Sequence, residues 1–296
     1  MCTMDGCVVR GGGSVVPDMY TRAAMKKYDS KDVKRVVNVV GGVTISVIIY
    51  GKLTGVRQFK ARLKAYLEEL ISILHALTTT RRKRIAIEFY PLGKRKVIPS
   101  RSGASINAEH VNSGFCYINS GDEDVNIVIY RREEFFKVMT HELVHLYDLI
   151  SNDPVITQMF RQRHAGLSEI DANEAQTELM AVVLNSLIVH RLSIDETRIE
   201  DLLHRELHRC SVVTNLLVSH FRLQGKMHDL SEIERRWRES THSFAYYILR
   251  CELFSVLCRE FSITNTTNTE GCVYTPKINA NSLRMTINDI ENVKLT

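Results

Sequence analysis

The stretch His141-Glu142-Leu143-Val144-His145 carries the clearest chemistry in this 296-residue sequence. Two histidines four apart on a helix share a face and lie about one turn from each other. Their imidazoles can then reach one cation. Glu142 stands beside the first histidine, where it can lean over an open coordination position. A zinc ion there acidifies bound water toward neutral pH, and the carboxylate takes the proton. Phe135, Phe136, Val138, Met139, Leu143, Val144 and Leu146 make the surrounding helix apolar. Buried polar groups are costly unless partnered, so His141, Glu142 and His145 need a shared purpose. The implied cofactor is one Zn2+ ion.

A catalytic zinc site generally takes three protein ligands. The best source of the third is Ala172-Asn173-Glu174-Ala175-Gln176-Thr177-Glu178, which runs on into Val182, Val183, Leu187 and Ile188. That pattern reads as a buried helix with Glu174 and Glu178 on one face. One glutamate can ligate while the other bonds the free nitrogen of a ligating histidine. Ligation is assigned to Glu174 and the outer role to Glu178, with the reverse assignment open. Asp148 lies seven residues past His141. That is about 10 Å along the axis, too far to share the ion, so a cap or a hydrogen bond behind a ligand is expected. His204 and His208 are also four apart, but Arg205, Glu206 and Arg209 mark their helix face as solvated.

HELVH followed by NEAQTEL resembles the gluzincin metallopeptidases, the thermolysin-like and aminopeptidase-like group. The resemblance is confined to these two helices. It implies a zincin-like fold, a small mixed β-sheet packed on the active-site helix. It also implies His141, His145 and Glu174 as ligands, Glu142 as general base, and Glu178 orienting the first histidine. A weaker resemblance covers residues 84 to 256. There EHVNSGF, IVIYRREEFFKVMTHE, EAQTEL and FAYYILR are similar to uncharacterised HExxH proteins encoded by large DNA viruses.

In zincins a sheet edge beside the motif helix takes the substrate as an added strand, which suits peptides. Asn112, Ser113 and Gly114 are the matching residues, as a bulge, a close approach or a plain turn. Amide hydrolysis also needs a donor for the developing oxyanion. Related families take a Tyr or His from a later helix. The stretch 241–250 offers His242, Tyr246 and Tyr247, with Arg250 to bind a carboxylate or support the site. The expected activity is therefore zinc-dependent hydrolysis of a peptide or protein substrate. The intact Glu142 favours this over a zinc-binding interaction module.

The elements that position these residues follow from periodicity. Residues 35–50 are two β-branched runs around Gly41-Gly42, a hairpin. Residues 56–78 carry apolar residues at helical steps. Strands are expected from Arg84 to Tyr90, over 110–118 and over 126–130. Helices are expected over 133–150, 168–191, 198–220, 229–238 and 242–261. Strands first and helices after is an α+β layout. The expected organisation is a flexible arm over 1–30, a catalytic domain over 31–261 and a tail or late strands over 262–296. Within the domain, 31–130 is strand-rich and 131–261 helical.

Composition is ordinary for a globular chain, with 44% hydrophobic and 25% charged residues. The net charge is +5, and the cations are spread, with two clusters standing out at Arg81–Arg84 and at Lys94, Arg95 and Lys96. No recognition-helix or stacking-sheet motif accompanies them. Solvated strand ends are therefore expected, rather than a nucleic-acid surface. The seven cysteines are odd in number and lack CxxC spacing, which points to a reducing, intracellular setting. The longest apolar stretch, residues 36–50, is too short and Gly-interrupted to span a membrane.

Overall fold

The computed structural model describes residues 3–4, 7–10, 33–118 apart from 94, 124–150 apart from 133, 153–193 apart from 168, 198–222 and 230–260. Among these, seven strands form one sheet. They are β1 (Thr3–Met4), β2 (Cys7–Arg10), β3 (Val33–Val40), β4 (Val43–Tyr50), β5 (Arg84–Phe89), β6 (Gly114–Ile118) and β7 (Asp124–Ile129). The order across the sheet is β1-β2-β6-β7-β5-β4-β3.

The hairpin of β3 and β4 turns on Gly41 and Gly42, at φ 54° and 79°. A two-residue turn needs positive φ at both positions, and glycine supplies it without strain. β4, β5 and β7 are mutually parallel, whereas β6 is antiparallel to β7. The β4-to-β5 connection therefore crosses over, through α1 (Val56–Leu77). Val43, Ile45, Val47 and Ile49 of β4 alternate inward with Ile85, Ile87 and Phe89 of β5 and Val125, Ile127 and Ile129 of β7. They bury against α1 and α3 (Phe135–Leu146), the helix that holds the two histidines.

Beyond a short turn, α2 (Ala108–Val111), the remaining helices follow α3. They are α4 (Pro154–Arg163), α5 (Ala172–Leu192), α6 (Ile199–Phe221), α7 (Leu230–Arg236) and α8 (Arg250–Glu260). A π-helical turn, Ala245–Leu249, leads into α8. α5 is shared between two cores. Met180, Leu184, Leu187 and Ile188 join the sheet core, and Ala175, Leu179, Val182 and Val183 join the helical one. A helix apolar all round is one buried on all sides. The α+β layout, a mixed sheet against the motif helix and then a helical half, is as expected. No described helix is long and apolar enough to cross a membrane.

The structure departs from the sequence reading at several ends. Residues 110–113 are not strand, because Asn107 and His110 close a capping box that turns 108–111 helical. α3 stops at Leu146 rather than 150, and Asp148 follows in the left-handed region at φ 50°. α4 was not expected. Its signal is Asp153-Pro154, a side-chain cap followed by proline in the first turn. Arg82 is not a solvated strand end. It is 7% exposed and donates twice to the carbonyl of Leu146, at 2.8 and 2.6 Å. Residues 3–4 and 7–10, within the stretch read as an arm, are strands of the sheet, with β1 at its edge and β2 between β1 and β6. The tail over 262–296 lies outside the described residues.

Candidate metal centre

Three ligand atoms, one each from His141, His145 and Glu174, lie within 4.8 Å of one another. This is the one such group among the described residues. The Nε2 atoms of His141 and His145 are 3.1 Å apart. Glu174 places Oε2 at 3.4 Å from His141 Nε2 and Oε1 at 3.2 Å from His145 Nε2. Donors bonded tetrahedrally to a small cation at about 2.1 Å stand about 3.4 Å from each other. The donor set therefore fits such an ion, with Glu174 rather than Glu178 as the third candidate donor.

Two of the three candidate donors, Glu174 and His141, are held from outside. Asp171 caps α5 by accepting from the Glu174 N–H at 3.0 Å. His141 Nδ1 lies 2.9 Å from Glu178 Oε2. A carboxylate there makes Nδ1 the protonated nitrogen, so that Nε2 would face a bound ion. Glu178 Oε1 in turn accepts from Lys137 Nζ and Arg250 Nη1, each at 2.7 Å. Tyr66 of α1 sets its hydroxyl 2.8 Å from Thr140 Oγ1 and 2.9 Å from Asn185 Oδ1. It thereby ties α3 and α5 together beside His141.

Burial pulls the His141 imidazole down, but Glu174 and Glu178 outweigh it and hold the pKa up, at about 10. Burial pushes Glu178 and Glu174 up, yet their cationic neighbours bring both well below the usual carboxylate range. Glu142 behaves differently. Burial raises its pKa, and the lowering by His141, His145 and the Cys116 thiol does not cancel it. A carboxyl displaced toward neutrality suits proton transfer.

Sequence reasoning missed the thiol of Cys116, whose only signal was its inward position in β6. It also missed Lys137, one turn before His141, and the π-helical turn. π-bulges recur at functional sites because one extra residue re-aims the side chains around it. Here Tyr246 packs on His141 at 5.9 Å between ring centroids, and Arg250 reaches Glu178. Burial first, and then the charges of Glu174 and Glu142, hold the Tyr246 phenol well above its ordinary pKa, so it stays a neutral donor. His242 pairs with Asp171 at 3.4 Å and lies 6.4 Å from the Tyr246 ring. Tyr247 turns elsewhere, with its ring 5.7 Å from the Arg250 guanidinium carbon.

Gly114 is a close approach. A Cβ there would meet Val138 Cγ1 at 2.7 Å and the Val128 carbonyl oxygen at 2.8 Å. Ser113 donates to Glu134 at 3.1 Å, and Asn112 Oδ1 accepts from Thr241 at 2.7 Å. Both side chains thus link β6 to the elements around the centre. His164 is fully buried and bonds Glu234 at 2.7 Å, away from the ligands.

No protein-family model matches the sequence. No curated protein matches it. A solved structure of an aminopeptidase N family protein from Idiomarina loihiensis superposes with a TM-score of 0.39 at 12% identity, over 86% of this chain and 46% of that one. The chain thus spans less than half the length of that protein.

Proposed function

We propose that the chain is a zinc-dependent metallopeptidase that hydrolyses peptide bonds, with Glu142 as general base. The observation that supports it is a set of three donors spaced for one ion, with a further buried carboxylate, Glu142, adjoining the first histidine. Two imidazoles and one carboxylate suit zinc among the common divalent ions. His141, His145 and Glu174 would hold it. The chemistry zinc supplies in such a site is acidification of water and polarisation of a carbonyl.

The protein's own groups do the rest. Glu142 accepts the proton of the attacking water and returns it to the departing amine. Its raised pKa favours both halves of that exchange. Tyr246 donates to the oxyanion as the carbonyl becomes tetrahedral. His242, next to Tyr246, is the second candidate donor. Glu178 keeps His141 in the ligating tautomer, and Arg250 and Lys137 keep Glu178 ionised.

A peptide is favoured over other substrates by the sheet. Among the described residues, β2 pairs with the outer edge of β6 from Cys116 to Ile118. The Gly114 end, against α3, lies past the last of these described pairs, and an extended peptide adding there as a strand is the proposed mode of binding. The test is a peptide-library cleavage assay on wild type and Glu142→Gln. Cleavage by wild type that the variant lacks supports the reading. Equal cleavage by both removes Glu142 as base.

A further inference from the structure

A cavity of about 660 Å³ lies one carboxylate away from the metal cluster. Lys137 and Arg250 belong to its wall, and both bond the oxygen of Glu178 that faces away from His141. The volume falls in the range of small-molecule pockets. Phe59, Phe136 and Leu217 give it an apolar lining.

Its charge is unbalanced. Six cations line it, Arg62, Lys96, Arg132, Lys137, Arg209 and Arg250, against the two carboxylates of Glu134 and Glu206. Glu178 occupies Lys137 and Arg250, Glu134 occupies Lys96, and Glu206 occupies Arg209. Arg62 and Arg132 remain. Both are exposed, and neither pairs with a carboxylate among the described residues. Arg62 lies over the Phe136 ring, 5.9 Å from its centroid. Deeper in, Arg250 is 5% exposed, and its Nε is buried without a hydrogen-bond partner. A buried guanidinium donor left open is costly unless something polar reaches it.

We propose that this cavity binds an apolar molecule bearing a carboxylate, its tail among the phenylalanines and its charge on the uncommitted guanidinium groups. Apolar burial supplies affinity, and guanidinium–carboxylate bonding supplies selection by charge. A neutral or cationic molecule of the same shape gains only the first. The site lies off the three ligands and Glu142, so it stands whether or not the chain is a hydrolase.

The test is calorimetric titration of full-length Glu142→Gln protein, in which turnover plays no part, with decanoate, 1-decanol and decyltrimethylammonium. Decanoate is expected to bind once per chain, about tenfold or more tighter than either analogue. Arg62→Gln/Arg132→Gln, at exposed positions that leave the fold intact, should weaken decanoate by about tenfold or more. Val213→Trp, which fills the cavity, should abolish binding at an unchanged circular dichroism spectrum. Absence of decanoate binding, equal binding of all three probes, or binding unaltered in both variants would overturn the proposal.

Discussion

Glu178 Oε2 lies 2.9 Å from His141 Nδ1, so the glutamate four residues after Glu174 orients the imidazole of His141. Its second oxygen is clamped by Lys137 and Arg250 at 2.7 Å each. The two glutamates of α5 thus divide the work, one facing the ligating nitrogens and one facing the rear nitrogen. Glu174→Ala should abolish zinc binding in a chelator-competition titration. Glu178→Ala should keep the ion but weaken it by about 10–100-fold. Glu178→Ala should also unfold more easily by about 3–5 kcal/mol, because the buried Arg250 guanidinium loses its counter-charge. Equal zinc affinities in the two variants would refute this division.

Tyr246 packs on His141, and Tyr247 faces Arg250. Tyr246→Phe should therefore lower kcat by roughly 100-fold with little change in KM, as expected for a transition-state donor. Tyr247→Phe should leave kcat near wild type. Steady-state kinetics on a cleaved peptide decide it. A large kcat loss in Tyr247→Phe alone would reverse the assignment.

The pH dependence of metal-free protein follows from His141. Its folded pKa, about 10, exceeds the ordinary 6.5. A raised folded value means that the native state binds the proton more tightly than the unfolded chain. This stability is fully present below pH 6.5 and is lost as pH rises through 10. Tm of chelator-treated protein should fall across that window, whereas zinc affinity should rise across it, because metal and proton compete for the imidazole. A metal-free Tm that climbs from pH 6.5 to 10 would contradict the sign.

Gly114 fits beneath the motif helix only for want of a Cβ. Gly114→Ala should destabilise by about 1–3 kcal/mol, since the Val128 carbonyl is backbone and cannot move aside. Denaturant unfolding measures it. Wild-type stability would show that α3 is not held against β6 as described.

The periodic and motif-bearing parts of the molecule were legible in the sequence. Val43 to Ile49 alternate at period two, and Leu63 to Leu74 recur at helical steps, so β4 and α1 were plain. The histidine pair and Glu174 were legible for the same reason, since fixed spacing on a helix dictates a shared face. What is contributed across long sequence distances was not. Nothing near His141 indicates that Tyr66 bonds Thr140, or that Arg82 closes the carbonyl of Leu146. The π-helical turn has no residue pattern of its own. Around it Tyr246 meets His141 and Tyr247 meets Arg250. Residues 110–113 were misread because an asparagine–histidine capping box overrode their strand-like composition.

The proposed chemistry requires one ion held among His141, His145 and Glu174. The most direct measurement is zinc stoichiometry by elemental mass spectrometry, on wild type and on His141→Ala, His145→Ala and Glu174→Ala, after exposure to limiting zinc. Wild type should carry about one zinc per chain, and each variant should carry almost none. Wild type without zinc, or zinc retained in all three variants, would contradict it.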